Sequence, residues 1–176
     1  MLTRKINAVI SLLITFLIFA HAVSIAVWML SMGAVGKPPA IMPWALTALV
    51  LVHAFISIDV MISKLMSGES HKSKKYTKLN RVTVVQRVSG ALMVLFTGLH
   101  IAGAVGVMTP PKIVHGIVPV LFFAIVMAHV AVSTSKAFIT LGIGDAKFIK
   151  NADVLIKVIC IITFVADVAG FFLYVW

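Results

Sequence analysis

Residues 84–107 read VVQRVSGALMVLFTGLHIAGAVGV. Beyond Arg87 nothing in this stretch is charged, yet it carries a histidine, His100. A helix of this length rises about 36 Å, enough to cross ~30 Å of hydrocarbon. An imidazole placed in hydrocarbon is costly and is usually spent on a ligand, a proton or an ion. The stretch therefore points to a membrane helix with a histidine that needs a reason.

Four more apolar runs, roughly 7–31, 43–65, 113–135 and 153–175, flank it. Three of them also hold one histidine inside the apolar stretch: His21, His53 and His129. The five runs consume most of a chain that is 61% hydrophobic, so no soluble domain is left. The expected fold is all-α: one domain over residues 1–176, an integral membrane bundle of five transmembrane helices. Any reaction on a soluble substrate then belongs to a partner. The first run follows Arg4 and Lys5 like a signal peptide, but it runs too long and offers no small-residue cleavage site near His21, so it reads as a retained span. Cys160 is the only cysteine, so no intrachain disulfide can form.

Charge sets the topology. With the N-terminus in the cytoplasm, 13 basic residues lie inside: Arg4, Lys5, Lys64, Lys72, Lys74, Lys75, Lys78, Arg81, Arg87, Lys136, Lys147, Lys150 and Lys157. Only Lys37 and Lys112 lie outside, a strong positive-inside bias that places the C-terminus outside. Tyr174 and Trp176 then suit the outer interface. The net charge of +10 follows this topology, and a nucleic-acid partner is rejected on that ground. Two basic or polar inner connections, 66–82 and 137–152, face anionic lipid or a soluble subunit. The outer connections, GAVGKPPAIMP and GVMTPPK, are short and proline-rich.

An internal repeat organises the histidines. Asn7 is followed by AVISLLITFLIFA and then His21; Gln86 is followed by RVSGALMVLFTGL and then His100. Ser57 stands four residues after His53, and Ser133 four after His129. A helix pair used twice in parallel accounts for both coincidences. Each serine shares a face with its histidine, although a hydroxyl bonded to its own helix reads equally well. Depth then pairs the histidines. From the run boundaries at 1.5 Å per residue, His21 and His100 lie about 21 and 24 Å from the inner end, His129 about 9 Å, and His53 near 18 Å. His21 and His100 form an outer pair, and His53 and His129 an inner pair by elimination. Ala22, Ala54, Gly98, Gly103 and Ala128 are small enough for helices or a flat group to come close.

Two bis-histidine haems use all four residues. No Cys-x-x-Cys-His motif or cysteine cluster offers covalent haem or an iron–sulfur centre, and zinc normally takes closer ligand spacing, often with thiolates. A metal-free bundle in which each histidine hydrogen-bonds internally is the plainer alternative.

With these residues in view, the chain resembles the dihaem cytochrome b membrane-anchor subunits of succinate:quinone oxidoreductases, the succinate dehydrogenase and quinol:fumarate reductase family. The likeness covers nearly the whole chain and is strongest in VVQRVSGALMVLFTGLH, with its Gln86, Ser89–Gly90 pair and His100; HAFIS and HVAVS match the ligand segments of spans two and four. The resemblance implies two b haems per chain, with His21 and His100 on the haem distal to the soluble subunits and His53 and His129 on the proximal one. It implies a flavoprotein and an iron–sulfur subunit on the cytoplasmic face, menaquinone or another quinone in the membrane, residence in the cell inner membrane, and room for a dimer of complexes. It also implies that this subunit relays electrons in a respiratory chain and does no dicarboxylate chemistry. The glutamates of some menaquinone-using members are absent, Met127 standing before the fourth ligand, so their proton path is not carried over.

The cofactor-binding set expected is His21, His53, His100 and His129 with Gln86, Ser89, Arg87 and Lys136; the last two would neutralise haem propionates unless they serve only the positive-inside bias. Asp59 reads as a partner of Lys64 or a group for quinone or proton chemistry. Asp167 is expected to face the bundle, His115 to be interfacial or to touch a propionate or quinone, and His71 to be a loop residue. Two other functions stay open: an anchor for another oxidoreductase of the hydrogenase or formate dehydrogenase type, and a haem-free scaffold or small transporter.

Overall fold

The computed structural model describes residues 2–66, 77–107 and 112–175, with backbone alone for 64–65, 77–80, 112–115 and 175. His71, Lys72, Lys74, Lys75 and Trp176, and the side chains of Lys64, Lys78, Lys112 and His115, lie outside the described residues. The described residues form five helices: α1 (Leu2–Leu30), α2 (Ile41–Met66), α3 (Thr77–Ala104), α4 (Lys112–Leu141) and α5 (Ala146–Val175). Each is long and apolar enough to cross a membrane.

The reason lies in which side chains face out. Phe16 is 69% exposed and Phe55 72%, and exposed leucine, isoleucine and valine cover every helix. Water does not tolerate such a surface, whereas lipid has no quarrel with it. The interior is a modest seam of Ile14 and Ile18 from α1, Met93 from α3, Val126, Met127 and Val130 from α4, and Cys160 from α5. No residue of α2 is fully buried among those described; its Leu46, Leu49 and Val50 only lean on the seam.

Helix α1 packs on α2, α4 and α5, and α4 packs on α1, α3 and α5, while α2 and α3 meet sparsely. The first four helices thus form a ring in chain order. Among the described residues, neither diagonal of that ring, α1 with α3 or α2 with α4, is in contact. Helix α5 sits in the outer angle of α1 and α4. Gly170 makes that seat possible, since a side chain there would meet Met29 at 3.3 Å, and Trp28 packs on Tyr174 with ring centroids 4.6 Å apart. The direction alternates along the ring. One end of the bundle collects the starts of α1, α3 and α5 and the ends of α2 and α4, with Arg4, Lys5, Arg81, Arg87, Lys136, Lys147, Lys150 and Lys157 near it.

The helices outrun the apolar spans at this basic end. The region 137–152, expected as a loop, is mostly helix: α4 continues to Leu141 and α5 starts at Ala146. Hydropathy marks where hydrocarbon ends, but lysine, threonine and asparagine keep a helix going in the headgroup layer until a residue stops it. Gly142 stops α4. With φ 72° it takes the left-handed turn, and the bonds Ile143 N–H to Phe138 C=O (3.0 Å) and Gly142 N–H to Ile139 C=O (3.2 Å) complete a Schellman cap. Asp145 then caps α5 by accepting the Phe148 N–H at 2.7 Å.

Candidate functional site

The corrected helix ends settle the depth of the inner histidines. His53 lies 13 residues before the end of α2 and His129 12 before the end of α4, about 18–20 Å in each case. The shallow depth of about 9 Å given to His129 from hydropathy came from ending span four too early, at 135 instead of Leu141.

Contacts place both histidines near the starts of α1 and α3. The His53 ring lies by the backbone carbonyl of Asn7, and the His129 ring by that of Gln86. His21 and His100 each follow fourteen residues later, about 21 Å along the axis. His21 and His100 are near enough to interact electrostatically, as are His53 and His129. These are the two diagonals of the ring. The histidines thus stand as two pairs, one on each diagonal of the ring: His21 with His100 and His53 with His129.

The environment of His129 is the most built. Ser89 is buried, and its hydroxyl lies 2.6 Å from the Val85 carbonyl, 3.2 Å from that of Gln86 and 3.0 Å from His129 Nδ1. A hydroxyl has one proton. The close Val85 carbonyl takes it, so the oxygen accepts from His129 Nδ1–H. That assignment leaves Nε2 with its lone pair free, the form of imidazole that binds a metal. Gly90 supplies the space: a Cβ there would meet His129 Cε1 at 3.1 Å and Nδ1 at 3.5 Å. Gly90→Ala is accordingly expected to displace the imidazole by a few tenths of an ångström and to reduce haem occupancy of the inner tier, read from the b-type absorbance per chain. Unchanged absorbance would show that the ring is not held against Gly90.

Around this core the polar groups form a belt at the basic end. Lys136 Nζ donates to Gln86 Oε1 at 2.6 Å and to Thr83 Oγ1 at 3.3 Å, tying α4 to α3. Arg87 is near enough to Lys136 for their charges to repel, and Lys136 for its charge to reach His129. Lys136, held by Gln86 and Thr83 and close to an inner histidine, is a cation that an anionic group could meet. Ser135 donates to Asp153 at 2.7 Å, and Asp153 also pairs with Lys157, tying α4 to α5. In the first half of the repeat, Asn7 Nδ2 donates to Ser57 Oγ at 3.0 Å. Such bonds between membrane helices are worth about 0.6 kcal/mol each. Sequence reading missed Thr83, Ser135 and Asp153, whose signal was only a polar residue at the rim of a span.

The outer tier is more open. His21 is half-buried with Nδ1 lacking a partner, and His100 is exposed, leaning on Phe122 with ring centroids 5.2 Å apart. Ser133 bonds to the carbonyl of His129 itself at 2.6 Å, so it supports its own helix. Gly98 and Gly103 face open space, and the close approaches lie at Gly90 and Gly170 instead. Asp167 faces the bundle at 2% exposure with Oδ1 unpartnered, and Asp59 lies on the exposed side of α2. A groove of about 400 Å³ between α4 and α5 and another of about 380 Å³ between α3 and α4 both border Ala124 and Ala128, and neither reaches a histidine.

The donor set can be weighed against the cofactor expected. Among the described residues no three His, Cys, Asp or Glu side chains converge; the histidines meet in pairs. The paired imidazoles, with Ser89 at His129 Nδ1 and Lys136 near the inner pair, are the groups that would hold a histidine-ligated cofactor. Comparison with family models, curated proteins and solved structures finds no match, so the likeness to cytochrome b anchors rests on the residues themselves.

Proposed function

We propose that this chain is the membrane-anchor and electron-transfer subunit of a succinate dehydrogenase or fumarate reductase complex, carrying two b haems and exchanging electrons between an iron–sulfur subunit and membrane quinone. The observation that carries the reading is the placing of the four span histidines on the two diagonals of the helix ring, His21 with His100 and His53 with His129.

In this reading His53 and His129 hold the inner haem, and His21 and His100 the outer one. Bound b haems supply one-electron redox chemistry at two depths, dividing ~30 Å of hydrocarbon into shorter transfers. The side chains bind and orient. Ser89 and the Gln86 carbonyl set the ring of His129; Lys136 and Arg87 offset the propionate charge; the Ile14, Ile18, Met93 and Val126 seam keeps water out. The positive-inside rule puts the basic end in the cytoplasm of a cell with an inner membrane, where the soluble subunits dock.

Pyridine haemochrome analysis of the purified chain tests the reading. The expected result is two b haems per chain; a ratio near zero would end it.

A further inference from the structure

The two halves of the repeat support their inner histidines differently. We propose that Ser89 is a positioning residue that fixes His129 as an axial ligand, while Ile10, at the equivalent place in the first half, withholds that support from His53. The two ligands of the inner haem are then unequal. The inference rests on the haem reading above and goes beyond it by naming what distinguishes two residues that the repeat makes equivalent.

The alignment of the halves is direct. Asn7 matches Gln86 and His21 matches His100; Ile10 therefore matches Ser89, and Ser11 matches Gly90. In the second half Ser89 receives His129 Nδ1–H at 3.0 Å, and Gly90 lets the ring lie against α3. In the first half Ile10 has nothing to offer a nitrogen. The Ser11 hydroxyl is turned back to the Ala8 carbonyl at 2.9 Å, and the Asn7 amide is committed to Ser57 at 3.0 Å. The His53 ring lies by the Asn7 carbonyl as the His129 ring lies by that of Gln86, but among the described residues no side chain reaches its buried Nδ1. The same helix pair thus presents one tautomer-locked imidazole and one that is not.

The consequence is chemical. A hydrogen bond accepted from Nδ1–H adds electron density at Nε2, strengthens its bond to ferric iron and lowers the reduction potential. Removing the Ser89 hydroxyl should raise the potential of the inner component, and giving position 10 a hydroxyl should lower it.

The test is a potentiometric titration with electron paramagnetic resonance of the ferric haems, on the wild-type chain and the Ser89→Ala, Ser89→Thr and Ile10→Ser variants. The proposal expects an upward shift of one b component in Ser89→Ala, a wild-type potential in Ser89→Thr, a downward shift of that same component in Ile10→Ser, and no movement of the other component. Loss of one haem in Ser89→Ala but not in Ser89→Thr would also support it, since only the hydroxyl differs in function. Ser89→Ala titrating as wild type, both components moving together, or loss of the haem in both Ser89 variants would overturn the inference while leaving the haem reading standing. A wild-type chain that binds no haem would overturn both.

Discussion

Replacing His100 by alanine is expected to remove the same b-type spectral component as replacing His21, and replacing His53 the same one as replacing His129. Each single substitution should lower haem content by about half, because one imidazole cannot hold a low-spin six-coordinate haem. The pairing follows from the bundle. Three of the four neighbouring pairs in the ring pack closely, which leaves no thickness for a planar group between them, and α2 and α3 meet sparsely. The diagonals α1 with α3 and α2 with α4 do not touch among the described residues, and these carry the histidine pairs that interact. Low-temperature difference spectra of membranes holding each variant decide the matter. Loss of one shared component in the His21 and His53 variants would show that haem sits between neighbouring helices, and the diagonal arrangement would fall. Alanine at His129 also leaves the Ser89 hydroxyl beside an empty space, so the inner pair should be the less forgiving of the two.

The five spans were legible because hydrocarbon imposes one crude requirement, about 20 apolar residues, and nothing subtle is needed to meet it. The histidines were legible for the converse reason, that a polar ring in such a run stands out. The pairing expected from the sequence came from depth and elimination, with the repeat adding that Asn7 and Gln86 stand at equal distances before His21 and His100. Run boundaries set His129 too shallow because they report where lysines begin, not where α4 ends. The Gly142 turn and the Asp145 cap were visible as Gly-Ile-Gly-Asp, and reading those four residues as a helix stop and a helix start would have restored the depth. The seat of His129 against Gly90 was not legible. It depends on how closely α3 and α4 approach, a matter of packing that no local pattern encodes. The Ser89 contact lay between: the serine and glycine drew notice as a motif, but their partner forty residues away could be found only in the fold.

Gentle detergent extraction is expected to co-purify a flavoprotein subunit and a cysteine-rich iron–sulfur subunit on the basic end of the bundle. Among its described residues the chain offers two tiers of paired histidines and a polar rim, and its two grooves are lined almost wholly by apolar side chains. On the function proposed above, electrons of an inner haem would be exchanged with a protein seated on the rim. The short turn 142–145 and the start of α5 present exposed Lys147 and Lys150 there, on the same end as Arg4, Lys5 and Arg81. A docking face of this kind steers an acidic partner and gives way as salt screens it. Reversing both charges, Lys147→Glu with Lys150→Glu, should cut recovery of the soluble subunits by roughly tenfold, about 1.4 kcal/mol, and leave the haem spectrum unchanged because neither lysine lies near a histidine tier. Full recovery with the reversed charges would move the docking site away from α5. Recovery of a hydrogenase or molybdenum subunit instead would assign the anchor to a different oxidoreductase, and recovery of a red chain with no partner would leave an electron carrier without the succinate or fumarate chemistry proposed for its complex.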